Sequence, residues 1–374
     1  MRAPNLDGAR LCVLARHRQV KVKLVLVLGC FLLVTASAAL LGTVVPDLAE
    51  RAGLGNLDQC PSRLEGQITR LPEEVRSSGA YRVKNVPDDH TFDARAWKST
   101  AYGVDTIYPF SIGNSNPRPR RTCVVGGTVV GSQPRSLTWR EMKRDYDGAG
   151  VRLESDDWMV VDGLRTDNVM DALRPARAGS TLYARNVWAS YTRDDCIEND
   201  LMAAGVVSDS LFDGCHMGVS ERSLNSEPQP AAETFTLDRV LLRLSPKPFD
   251  TDFDGNKPAE GSVVNGRAHA QLFKWSGDAN KLVLKDSVFL VPRVSTNGKR
   301  SMSFPEGTVA DNVTLIWLGE GDYPGRLPAS GVTVTRDKSI WRDAKADWLD
   351  RHGCTSLNHC DPNQLTNPEP ATAT

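Results

Sequence analysis

Asp171, Asp194, Asp195 and His216 are the residues of this 374-residue chain whose types and spacing best suit bond-breaking chemistry. The densest polar run is Arg193-Asp194-Asp195-Cys196-Ile197-Glu198-Asn199-Asp200. Two carboxyl groups brought within about 5 Å of each other cannot both ionise cheaply, so one keeps its proton. A protonated acid beside an ionised base is what cleavage of a glycosidic bond requires. Asp and Asn serve equally well in turns, where they bond to the backbone, and both readings stand at this point.

What could bring these residues together is a repeat. An alternating apolar run, then an Asp or its substitute, then a small or polar residue and more apolar residues recurs at Asp162, Arg185, Asp209, Asp238, Asp286, Asp311 and, less well, Asp337. The steps are 23, 24, 29, 48, 25 and 26 residues. The long step reads as two periods, with a skipped coil near residues 268–275, where His-Ala-Gln-Leu-Phe-Lys-Trp alternates as a strand should. Period-two alternation excludes helical repeats, and the lack of leucines at fixed offsets excludes leucine-rich repeats. The expected fold is all-β, a right-handed parallel β-helix with coils of about 24 residues, in which each coil buries enough only by stacking on its neighbours. Equal offsets from the anchors then lie above one another. Offset nine holds Asp171, Asp194, Gly218 and Lys247, and offset five holds Asp167, Ser190, Gly214 and Arg243.

These motifs resemble those of a known family. Thr166-Asp167 ahead of Asp171, Asp194-Asp195-Cys196-Ile197, Asp213-Gly214-Cys215-His216 one coil later, and Arg243 with Lys247 follow the motif order of polygalacturonase-type glycoside hydrolases. The matching stretch covers about 80 residues, and the whole chain resembles right-handed parallel β-helix repeat proteins of the pectin lyase-like fold. The resemblance implies Asp194 or Asp195 as general acid, Asp171 with a partner as the base that activates water, and His216 and Lys247 as substrate-positioning groups, with inversion at the cleaved carbon. Asp167, Arg193, Glu198, Arg243 and Lys274 complete the expected substrate-binding set. His216 lacks flanking glycines and the Arg-to-Lys spacing is stretched relative to that family.

A second constellation is Asp250-Thr251-Asp252-Phe253-Asp254-Gly255, followed by Glu260. Oxygen ligands at alternate positions before a turn glycine suit Ca²⁺, and an acidic solvated loop has the same composition. Bound calcium would also suit a polysaccharide lyase, with Lys247, Lys274 or Arg243 as the base. His269, Phe273, Lys274 and Trp275 can line a sugar groove, since aromatic faces stack on sugar rings, or can belong to the core.

The elements that must position these groups begin after a basic N-terminus. Residues 1–23 carry a net charge of +5 and the whole chain −1, so the remainder is acidic. That balance argues against nucleic acid as a partner, which needs a concentrated basic face. Leu24–Val45 is free of charge and long enough to cross a bilayer, with the basic flank on the cytoplasmic side. Ala36-Ser37-Ala38 offers the alternative of a cleaved leader, although the apolar run continues past it. Either way the body is exported, periplasmic or extracellular. Six cysteines follow the span, an even number that suits disulfides, and Cys354 with Cys360 is the simplest pair, while Cys123, Cys196 and Cys215 serve equally well as small apolar residues of a stacked core. Residues 46–92 read as a stalk and N-terminal cap, 93–336 as the β-helix, 337–360 as a helical C-terminal cap and 361–374 as a disordered tail. The expected function is a membrane-anchored, carbohydrate-active protein that cleaves a polysaccharide; a lyase and a non-catalytic binder of cell-envelope glycan are the alternatives.

Overall fold

In the computed structural model the described residues are 68–113, 118–222, 233–248, 267–356 and 359–360. They are mostly parallel β-strands, arranged coil upon coil in a manner compatible with a β-helix. The large sheet runs in order through Ile68–Arg70, His90–Tyr102, Arg121–Gly131, Trp158–Asp162, Thr181–Arg185, Ala204–Cys215, Thr234–Leu244, Val288–Val291, Val313–Trp317 and Val332–Thr335. A second sheet of seven strands has the order Tyr81–Val83, Phe110–Ile112, Ala149–Leu153, Asp171–Pro175, Asp195–Glu198, Met217–Glu221 and Phe273–Trp275. Between the sheets lies one continuous apolar core, with Phe92, Val124, Val161, Leu182, Val207, Leu237 and Leu284 each within 1% of complete burial.

The repeat is real, and its register differs from the sequence reading at two anchors. Asp162 pairs with Arg185, Arg185 with Ser208, Ser208 with Asp238, Asp238 with Lys285 and Lys285 with Asp311. Asp209 and Asp286 therefore lie one residue past the strand column. They occupy a left-handed turn column with Asn186, Arg239 and Asn312, at φ between 39° and 53°. Asp and Asn tolerate this conformation better than most residues, and their side chains bridge coils there: Asn186 Nδ2 donates to Asp162 Oδ1 at 2.8 Å and Asn312 Nδ2 to Asp286 Oδ1 at 2.6 Å. Part of the recurring Asp signal is thus a turn signal.

Three further expectations are corrected. The 48-residue step is a single long coil, because Asp238 pairs directly with Lys285; Phe273–Trp275 is a strand, but it belongs to the other sheet. Parallel pairing begins before residue 93, since Ile68–Arg70 already pairs in register with Thr91–Asp93. The last coil is Val332–Thr335, entered through Gly331 at φ 82°, and Asp337 instead caps a helix by accepting from Ser339 N at 2.8 Å.

That helix, Lys338–Arg351, does not close the end of the stack. Call it α2; α1 is Trp139–Asp145. Helix α2 lies along the flank of the large sheet, where Trp341 and Trp348 bury an outward stripe of Trp188, Leu211, Leu241, Leu290 and Ile316 from successive coils. A hydrophobic stripe on an outer sheet face demands such a cover. Trp348 Nε1 donates to Asp209 O at 3.0 Å and Lys345 Nζ contacts Asp213 Oδ2 at 2.5 Å, which fix its position.

Disulfides join Cys354 to Cys360 and Cys196 to Cys215, and Cys123 is also disulfide-bonded. Among the described residues no helix is long and apolar enough to cross a membrane. The span expected at Leu24–Val45, the stalk up to residue 67, the calcium loop at Asp250, Asp252, Asp254 and Glu260, and the tail after Cys360 lie outside the described residues.

Candidate active site

Leu173 faces Ile197 across two neighbouring strands of the seven-stranded sheet, and this register brings Asp171 beside Asp195. Asp195 N donates to Asp171 Oδ1 at 3.1 Å. Asp194 follows the same turn one residue earlier, its own N bound to Met170 O at 2.8 Å. Carboxylate oxygens of Asp171, Asp194 and Asp195 then lie within 4.8 Å of one another, and all three residues are buried. Asp171 Oδ2, Asp194 Oδ1 and Asp195 Oδ1 accept no backbone hydrogen bond among the described residues, so backbone amides take up only part of the cluster, at Asp171 Oδ1.

Two lysines and an arginine balance the charge. Lys274 Nζ is 3.1 Å from Asp195 Oδ2, Lys143 Nζ 3.8 Å from Asp194 Oδ2, and Arg174 Nη1 2.8 Å from Glu198 Oε2. The last is a charge contact rather than an aligned hydrogen bond, since Oε2 of Glu198 has no hydrogen-bond partner. Burial pushes the Asp171 carboxyl well above the usual range, and the neighbouring Glu198, with which it can share a proton, pushes it further. Asp195 is raised well above by burial, against the pull of Lys274. Asp194 is also raised by burial, and there Lys274, Lys143 and the Trp139 indole all favour the ionised form. Burial is the largest single influence on both lysines and opposes their charge, yet Asp195, Asp194 and Asp200 together for Lys274, and Asp194, Asp147 and Asp171 together for Lys143, outweigh it, so both stay ammonium ions beyond their ordinary range.

Lys143 and Trp139 come from α1, inserted between two strands of one coil, Arg121–Gly131 and Ala149–Leu153. A capping box starts it: Thr138 Oγ1 accepts from Glu141 N at 3.2 Å and Glu141 Oε2 accepts from Thr138 N at 2.7 Å. The Thr138-x-x-Glu141 spacing was the signal that could have nominated this helix and its lysine. Arg174 was missed as well, and its only signal is the sheet register.

The remaining expected site residues do not join the cluster. His216 stacks on Trp139 with ring centroids 6.0 Å apart and its Nδ1 lies 3.3 Å from Ala268 O. Burial, then the neighbouring His269 and Lys247, lower its pKa to about 3, and His269 is lowered by burial to about 4. Lys247 is fully buried, donates to Gly214 O at 2.7 Å and sits 3.9 Å from the centre of the Tyr191 ring. Burial and then Arg243 depress its ammonium well below normal, so it faces no solvent groove. Arg193 is buried and donates to Pro134 O and Leu137 O, anchoring the segment that leads into α1. Asp167 pairs with Arg135 at 2.8 Å, and Arg243 with Asp213 at 2.5 Å. Glu198 and Lys274 are the two expected binding residues that the fold does bring to the aspartates.

Beside the cluster, one row of the seven-stranded sheet reads Arg82, Ser111, Arg152, Arg174, Glu198, Ser220 and Lys274 on adjacent strands. Arg82, Lys84, Tyr108, Ser111 and Arg152 line a cavity of about 220 Å³ at one end of it. No family model, curated protein or solved structure matches the chain.

Proposed function

We propose that the chain is an exported polysaccharide-cleaving hydrolase, built on a right-handed parallel β-helix of the pectin lyase-like kind and held to the membrane by residues 24–45. The observation that carries this reading is the convergence of Asp171, Asp194 and Asp195 in a buried setting, with three carboxylate oxygens that take no backbone hydrogen bond among the described residues. Their environments differ in the way acid and base roles require. Asp194, with two lysines and an indole in its favour, is the ionised member that takes a proton from the water whose oxygen attacks the anomeric carbon as the glycosidic C–O bond breaks. Asp195 keeps a proton and delivers it to the leaving oxygen, and Asp171 with Glu198 is the proton reserve behind it. Asp171 is thus a positioning residue, whereas the resemblance implied a base.

Access runs past Lys143 and Lys274, whose side chains are 31% and 22% exposed and long enough to swing aside. The Arg82–Arg152–Arg174 row supports a glycan that carries negative charge along its length. Three disulfide-bonded regions support an oxidising compartment. The same three carboxylates could hold a divalent cation for lyase chemistry, but Lys143 and Lys274 already bring two positive charges there, which favours the hydrolase.

The test is a panel of neutral and acidic polysaccharides assayed for new reducing ends and for unsaturated uronate, with and without added calcium. Reducing ends without unsaturation, abolished in Asp195→Asn, are expected. Calcium-dependent unsaturated product would replace hydrolysis by elimination, and no product on any glycan would leave a binding protein. The anomer released first is a separate readout. Inverting enzymes place their carboxyl groups about 6.5–9.5 Å apart, wider than the 4.8 Å within which these oxygens lie.

A further inference from the structure

Among the described residues, Phe273–Trp275 is the last strand of the seven-stranded sheet, paired on one side only, with Met217–Glu221. On the paired side Leu272 O accepts from Val219 N at 2.9 Å and Ser276 N donates to Glu221 O at 2.9 Å. Strand geometry alternates, so the backbone groups of Phe273 and Trp275 turn the other way. Gln271 bears this out: its Nε2 donates to Phe273 O at 2.8 Å, filling one acceptor on the open edge. The Phe273 and Trp275 N–H groups and the Trp275 carbonyl are left facing a crevice of about 500 Å³, a volume typical of ligand sites.

The crevice exists because the following coil diverges. Thr296 N still bonds to His269 O at 3.0 Å, but the chain then turns into a 3₁₀ segment at Lys299–Met302 that makes no ladder with Trp275. Its walls are Trp275 and Phe304 on the apolar side and Lys281, Arg300 and Arg326 on the charged side, against one acidic group, Glu306, 3.7 Å from Arg326. Trp275 is held rigidly, its Nε1 bonded to Asn280 O at 2.8 Å, and Asn280 N is bonded to Glu221 Oε1 at 3.1 Å.

We infer that this open edge binds an extended acidic peptide segment by strand addition, independently of the aspartate cluster. Two donors and an acceptor at strand spacing match a peptide backbone, the net positive wall matches acidic side chains, and the partly exposed Trp275 receives the apolar side chains between them. A sugar polymer offers no such regular alternation of amide groups.

The experiment is calorimetric titration of the full chain with acetyl-(Glu-Val)₃-Glu-amide. Arg300 and Arg326 are exposed, so R300E/R326E keeps its fold, checked by thermal melting; it should bind the peptide about tenfold or more weakly. (Lys-Val)₃-Lys should likewise bind at least about tenfold more weakly than the acidic peptide. N-methylation at alternate peptide positions should abolish binding in one phase and spare it in the other, a parity that needs no protein variant. Absence of binding, equal binding to the double variant, N-methylation without parity, or capture of oligo-uronate in place of the peptide would each overturn the inference.

Discussion

The backbone N–H of Asp195 donates to Oδ1 of Asp171 at 3.1 Å, so the two residues whose carboxyls burial raises most are locked together across neighbouring coils. The contact ties the protonation of a deeply buried acid to the backbone of the next coil. It also leaves Asp194, one residue away, as the carboxylate that Lys143 approaches.

Lys143→Met should therefore move the pH profile. The lysine charge favours ionised Asp194, so its removal raises that carboxyl further. Activity that needs the ionised form then sets in at higher pH, and the acid limb of kcat/KM on a cleaved glycan should rise by about one pH unit. An unshifted limb would remove Asp194 from the ionised role.

Glu221 gives a stability prediction. Burial raises its pKa from the ordinary 4.5 to about 8. The folded state binds the extra proton, so the stabilisation is full below about pH 4.5 and is lost as pH rises through 8. Glu221→Gln should match the parent near pH 4 and exceed it by a few kcal/mol above pH 8, read from urea unfolding at both values. Equal stability of the two proteins at high pH would refute the assignment.

His216 should stay neutral wherever the fold persists. Its pKa of about 3 is below the ordinary value, so the stability its burial contributes is present above about pH 6.5 and falls away as pH drops toward 3. The imidazole resonances should not titrate between pH 5 and 8 in NMR spectra of labelled protein. A midpoint near 6.5 would show the ring to be open to solvent.

Helix α2 should be integral to the fold. Trp348 is fully buried, and Trp348→Ala should cost about 3–5 kcal/mol in chemical denaturation. A loss under 1 kcal/mol would mean that the flank stripe is stable uncovered.

The amino-acid sequence by itself determined the parallel strand stack, because a period near 24 residues with two-residue alternation has few ways to bury its apolar face. It also marked Asp171, Asp194 and Asp195 as one group, and Cys354 with Cys360, because those relationships span a single coil or a short loop. Tertiary structure decided the rest. The left-handed turn column that follows each strand anchor carries Asp at 209 and 286, so the recurring Asp slides from one column to the next there. The turn between Ser190 and Asp195 is one residue longer than that between Asp167 and Asp171, which sets Asp195, rather than Asp194, against Asp171, and an offset counted along the chain cannot register that change. Lys143 and Trp139 reach the cluster from an inserted helix, and α2 covers the flank rather than the end, because side-chain reach and exposed apolar stripes are settled only when coils stack. Burial, too, is a property of the stack: it turns Lys247 and His216 from expected groove residues into interior ones that resist carrying charge, and it raises the carboxyls of Asp171 and Asp195 well above their ordinary range.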